Sequence, residues 1–134
     1  MIERGLLVAV AVAIAVFTGL WLHSARLEKK AQSIAQRPPQ GLSANDVKEA
    51  TDLFERSRAH NPDLRPAERE AGLLIRTGRT REAVALLRPV VRREPDNLTA
   101  WTLVAIAAQK SDPALARQAV ARARALNPLA QQAR

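Results

Sequence analysis

The chain has 134 residues, no cysteine, two histidines and a formal net charge of +8. This length is enough for one small domain with short accessory segments, and the lack of cysteine excludes disulfides and thiolate metal sites. His23 and His60 lie far apart in the sequence without a metal-ligand spacing, so we predict no metal site and no bound cofactor.

Residues 5–22 form an uninterrupted uncharged run, GLLVAVAVAIAVFTGLWL. A helix of that length spans about 27 Å, enough to cross the hydrocarbon core of a bilayer. A cleaved secretory signal is the main alternative, but His23 stands where cleavage favours small residues. A buried core helix is disfavoured, because nothing downstream offers enough apolar surface to cover it. We predict an uncleaved transmembrane anchor at 5–22, preceded by a tail at 1–4.

Two opposing signals bear on the orientation of this anchor. The basic residues after it outnumber Arg4, and the positive-inside rule would keep the downstream part in the cytoplasm. A short basic tail before an apolar helix, however, resembles a bacterial signal anchor, which exports the domain downstream of it. Abundant Ala and Arg with scarce Lys also resemble a GC-rich bacterial composition. We favour a single-pass protein of the bacterial inner membrane with its domain on the periplasmic or extracellular side.

Residues 23–42 are predicted to be a juxtamembrane segment that ends in a proline-rich hinge. Good helix formers at 24–36 allow the membrane helix to continue beyond the bilayer. Two successive prolines cannot both lie inside a helix, and Pro38 restricts Arg37 to extended geometry. We therefore expect a short, stiff hinge at 37–42 between the anchor and the domain.

Five amphipathic helices are predicted between residues 43 and 128, and no useful length alternates apolar and polar residues as a strand would. Helix caps and prolines at the first helical position mark their ends. The predicted starts and stops are Ser43, Pro66, Gly78, Thr80, Asp96 or Asn97, and Asp112-Pro113. The sequence thus predicts an all-α domain at 43–128, followed by a tail at 129–134.

A proline recurs at a constant interval, in the dipeptides Asn61-Pro62, Glu94-Pro95 and Asn127-Pro128. Each dipeptide closes a stretch with the apolar spacing of a helix. The prolines are 33 residues apart. A repeat of this length indicates a stacked array of helix hairpins, in which one unit cannot bury its apolar face alone. The repeat favours a binding scaffold but does not identify the ligand.

These helix pairs, with small residues at set places and a closing proline, resemble the tetratricopeptide repeat (TPR). The resemblance covers residues 44–128, with Glu68 standing where an aromatic is usual and Val90 where a small residue is usual. It rests on Ala50, Phe54 and Pro62 in a leading half-unit, on Gly72, Ala83, Leu87 and Pro95 in the next unit, and on Trp101, Ala105, Ala116, Val120, Ala123 and Pro128 in the last. The resemblance implies a short right-handed α-solenoid of antiparallel helix pairs, with about two and a half units.

In the TPR family the first helices of successive units line a concave groove that often holds an extended peptide or a partner helix. A groove at the corresponding positions would mix cations, hydroxyls and apolar side chains, which suits a peptide with a carboxylate and an apolar anchor. The plainer alternative is an ordinary solvated helix face. The residues that the resemblance assigns to the groove are Arg69, Leu73, Arg76, Thr99, Thr102, Ile106, Gln109 and Lys110.

The sequence favours neither an enzyme nor a nucleic-acid-binding protein. No serine lies in a Gly-flanked elbow, no Gly-rich loop could cradle a phosphate, and the two histidines lie in different regions. Phe17 and Trp21 fall in the predicted anchor, and Phe54 and Trp101 in the predicted core, so none is left to stack on bases. We therefore predict no catalytic residues and no nucleic-acid partner.

The resulting hypothesis is a membrane-anchored TPR adaptor that mediates protein-protein interaction, scaffolding an envelope assembly or secretion complex. The alternative is a basic peripheral tether that docks on anionic lipid or an envelope polymer. So short a stack also leaves its ends open to a protein partner or to self-association.

Overall fold

In the computed structural model, the described residues are 2–59 and 63–128, with side chains described from Val10 onward. The Asn61-Pro62 pair, His60 and the predicted tail at 129–134 lie outside them. The described chain is all-helical, as predicted, and contains no strand. Its elements are α1 (Ile2–Ala35), a 3-10 turn (Pro39–Gly41), α2 (Ala44–Arg58), α3 (Arg65–Arg76), α4 (Thr80–Arg93), α5 (Leu98–Ala108) and α6 (Pro113–Leu126).

Helix α1 runs without interruption for 34 residues but has two different environments. From Val10 to Leu22 its side chains are exposed, and Phe17 is 70% exposed. From Ser24 onward one face of the helix is buried, with Ala31 and Ile34 in the core. By length and composition the helix is a candidate membrane span.

The second half of α1 forms an antiparallel hairpin with α2. The Ser57 hydroxyl donates to the carbonyl of Ser24 over 3.2 Å, and near the turn Arg37 Nη1 lies 2.9 Å from Asp46 Oδ1. The second half of α1 is therefore the first helix of the unit for which the sequence predicts only the second helix, α2. Residues 37–42 are therefore the turn of the first hairpin, which differs from the hinge expected between anchor and domain.

The expected caps are largely confirmed, because short polar side chains satisfy the free amides at the helix starts. Ser43 and Asp46 form a reciprocal capping box on α2, Asn97 accepts from Ala100 N, and Asp112 accepts from Leu115 N. Thr80 is not a cap but the first residue of α4, and Arg79 precedes it without a side-chain capping bond.

The three hairpins α1–α2, α3–α4 and α5–α6 stack around two apolar clusters. A small cluster joins α1, α2 and α3, with Phe54 fully buried, and a larger one joins α3 to α6, with Leu87 and Val104 fully buried. Many of the buried residues are alanines, which allow the helices to approach closely. Trp101 is a correction to the predicted core: it is partly buried at the edge of the larger cluster, and its Nε1 donates to the carbonyl of Pro95 over 2.8 Å.

Candidate partner-binding surface

The three groove residues predicted on α3 face the chain's own first hairpin. Leu73 is only 2% exposed and packs among the side chains of α1 and α2. Arg69 pairs with Glu28 of α1, and Arg76 donates to the carbonyls of Ala35 and Arg37. Leu73 is thus unable to contact a partner, and the two arginines fasten α3 to α1.

The other five predicted groove residues, on α5 and in the turn after it, are exposed. Ile106 is 51% exposed, an unusual position for a large aliphatic side chain. The Thr102 hydroxyl donates to the carbonyl of Leu98 over 2.8 Å, so its proton is used in a hydrogen bond within α5. The open part of the predicted surface is therefore confined to α5 and the turn after it. It comprises Thr99, Thr102 and Ile106 on α5 and Gln109 and Lys110 in the turn.

Next to this face lies an open depression of about 460 Å³ between α5 and α6. Ile106 on α5 and Gln109 directly after it line the depression, and five residues of α6 that are not among the predicted groove residues complete it. The lining residues are Ala105, Ile106, Gln109, Ala116, Arg117, Val120, Ala121 and Arg124.

The repeat itself carried a signal for this depression. Val120 stands one repeat interval after Leu87, the interval that also separates Pro95 from Pro128. Leu87 is fully buried, whereas Val120 is 37% exposed. By the same interval, Arg117 and Arg124 stand at the positions that correspond to the buried Val84 and Val91. The last hairpin thus keeps part of the apolar face that a following helix would cover, and adds cations to it.

The electrostatic character of this surface is positive. Residues 98–128 contain four cations, Lys110, Arg117, Arg122 and Arg124, and a single acid, Asp112. Asp112 caps α6, and its other oxygen lies 3.7 Å from Arg88. An incoming carboxylate would therefore find more cations than acids on the last hairpin.

One buried ion pair lies away from this surface, between α2 and α3. Glu70 is 4% exposed, and its Oε2 lies 2.8 Å from Arg58 Nη1 in a contact without hydrogen-bond alignment. Burial raises the pKa of Glu70 to about 7, and the charge of Arg58 opposes this only in part. The pair lies where α2 packs on α3. Among the described residues, no group of three or more His, Asp or Glu side chains could hold a metal ion.

Stacked antiparallel hairpins define the domain as a helical-repeat protein. The family model of the tetratricopeptide repeat matches residues 42–107, from just before α2 through most of α5. These residues are therefore similar to the TPR family, whose domains bind protein partners. Comparisons with curated proteins and with solved structures gave no match.

Proposed function

We propose that this chain is a membrane-anchored TPR adaptor that holds a protein partner beside a membrane complex, such as one for envelope assembly or secretion. The observation that carries the proposal is the exposed Ile106, which lines an open depression in a domain that matches a protein-binding family. The exposed apolar half of α1 supports the membrane attachment.

The partner segment would be an amphipathic helix or an extended peptide with an apolar anchor and a carboxylate. Ile106 and Val120 offer apolar contacts, and Arg117 offers a guanidinium that can bind a carboxylate through two hydrogen bonds. A second copy of the chain fits less well at this surface, because it would bring two cationic surfaces together.

We also propose that the span lies in a bacterial inner membrane with the repeats on the exported side. The short charged tail before the span favours export, and the cations after it favour retention. Alkaline phosphatase fused after Arg134 is active only if exported. Inactive phosphatase, together with a bright cytoplasmic-type fluorescent reporter at the same position, would refute the proposed orientation without affecting the adaptor proposal.

The binding surface is tested by photocrosslinking in native membranes. A photoreactive amino acid at Ile106 should capture a neighbour that the same group at Gln118 does not, since Gln118 is exposed on α6 outside the depression. The captured protein is then purified and titrated against the full chain. Ile106→Asp should weaken binding at least about tenfold, as expected for a central interface residue. Equal affinity for Ile106→Asp and Gln118→Ala would refute this surface.

A further inference from the structure

One edge of the repeat array lies at the level of Ser24, where the exposed part of α1 ends and the helix enters the array. The bond from Ser57 to the carbonyl of Ser24 holds the C-terminal end of α2 beside residue 24. Glu28 and Ala35 of α1 bind Arg69 and Arg76 of α3 at the same sequence offset, so the two helices run parallel. This register puts the start of α3 at the level of Ser24 as well.

The same edge continues to the last hairpin. Asn97 Nδ2 donates to Glu68 Oε1 over 2.6 Å, which holds the α4–α5 loop beside the first turn of α3. Arg122 of α6 then donates to Asp96 Oδ1 of that loop over 2.7 Å. The ends of α2, α4 and α6 therefore lie along one continuous edge, and α1 enters the array from that edge.

Each of these three helix ends carries two arginines: Arg56 and Arg58 in α2, Arg92 and Arg93 in α4, and Arg122 and Arg124 in α6. Some are engaged within the domain, as Arg58 is by Glu70 and Arg122 by Asp96. Four cations at this edge are exposed and make no ion pair within the described part of the chain. We call them the arginine edge: Arg26, Arg56, Arg92 and Arg93.

The arginine edge would lie at headgroup depth if the exposed half of α1 is embedded. The exposed apolar run ends at Leu22, two residues before the buried Ser24, which is about 3 Å of helix rise. Guanidinium groups match phosphate geometry, and basic residues next to a span attract anionic lipids. Arginines at helix C-termini also stabilise the helix dipole, a role that needs no lipid, so the test must depend on lipid charge.

We propose that the arginine edge binds the phosphate groups of anionic lipid headgroups and so lays the whole repeat array against the bilayer from which α1 emerges. This inference rests on the proposed membrane attachment. It goes beyond the adaptor function because it fixes the orientation of the repeat array, and of the depression on α5 and α6, relative to the membrane surface.

The absence of cysteine permits a single-site probe on the full chain. Ala125→Cys puts a fluorophore on exposed α6, two hairpins away from α1. The labelled protein is reconstituted in phosphatidylcholine vesicles, with or without phosphatidylglycerol, that carry a nitroxide on a lipid headgroup. Quenching should be strong only with phosphatidylglycerol. It should be lost when salt rises from about 0.1 M to about 1 M, which shortens the Debye length from about 10 Å to about 3 Å.

Matched charge variants identify the residues responsible. Each arginine near an anionic surface favours binding about fivefold, so Arg56→Gln/Arg92→Gln should lower the docking equilibrium about 25-fold. Lys48→Gln/Arg81→Gln removes the same charge from the opposite edge and should leave quenching unchanged, whereas Arg56→Lys/Arg92→Lys should retain most of it. Equal quenching in both lipids, or equal loss in the two glutamine variants, overturns the proposal.

Failure of membrane attachment gives a different result. Protein that leaves the vesicles after an alkaline wash refutes the anchor, and the edge proposal with it. Protein that stays embedded but shows no dependence on phosphatidylglycerol refutes the arginine edge alone.

Discussion

Leu73 on α3 and Ile106 on α5 hold equivalent positions in successive repeats, yet one is 2% exposed and the other 51%. Both are large aliphatic residues in the same helical phase, so periodicity treats them alike. The first hairpin covers Leu73, whereas Ile106 faces the open depression. In a helical array the neighbouring hairpins, and not the repeat position, decide whether a residue belongs to the core or to a surface.

The largest expected effect comes from removing the helix that covers Leu73. A soluble fragment of residues 24–134 should unfold cooperatively, whereas a fragment of 43–134 should lose several kcal/mol of stability, because Phe54, Leu53 and Leu73 become uncovered. Urea unfolding followed by circular dichroism measures this. Equal midpoints for the two fragments would show that the second half of α1 is an accessory to the domain.

The comparison of equivalent positions is tested by two alanine substitutions. Leu73→Ala should lower the free energy of unfolding by about 2–5 kcal/mol, the usual cost of truncating a buried leucine. Ile106→Ala should change it by no more than about 0.5 kcal/mol, because its side chain is already exposed. Denaturant melts of both variants in the 24–134 fragment provide the values, and similar losses would contradict the assigned environments.

The seam between α2 and α3 should make stability depend on pH. The pKa of Glu70 is about 7 in the folded protein against an ordinary value of 4.5, so folding is favoured while the carboxyl is neutral. This contribution is complete below pH 4.5 and is lost as pH rises through about 7, a change on the order of 2–3 kcal/mol. The unfolding free energy of the wild type should therefore fall relative to Glu70→Gln between about pH 5 and about pH 8.

Arg58 provides the control for this pH effect, because its charge favours the ionised carboxylate. Arg58→Met should steepen the fall in stability at the alkaline end. If instead the wild type gains stability over Glu70→Gln as pH rises, the ion pair dominates over burial, and the carboxylate is charged in the folded protein.

The smallest expected effect concerns Trp101, which is partly buried at the edge of the larger cluster. Trp101→Phe keeps most of the apolar contact but removes the bond from Nε1 to the Pro95 carbonyl, which should cost about 1 kcal/mol. Thermal or urea unfolding detects a change of this size. A loss well above about 3 kcal/mol would mean that the indole is packed as a fully buried core residue.

Prediction from the sequence succeeded where the signal is local. The Ser43 capping box, the Asn97 and Asp112 caps and the all-helical character depend on residues within one or two turns of each other. It was weaker for 24–35, where a few small or apolar positions among charges are also typical of a solvated helix. Only the matching face of α2 makes that stripe a core.

The sequence by itself therefore determined the helices, the repeat interval and the presence of an apolar run long enough to span a bilayer, because these depend on local propensity and periodicity. Tertiary structure alone decided that α1 completes the first hairpin, that Leu73 is buried against α1 and α2, and that Ile106 is exposed beside a depression between α5 and α6. Burial is a property of pairs of surfaces, and the partner surface of a residue can lie anywhere in the chain.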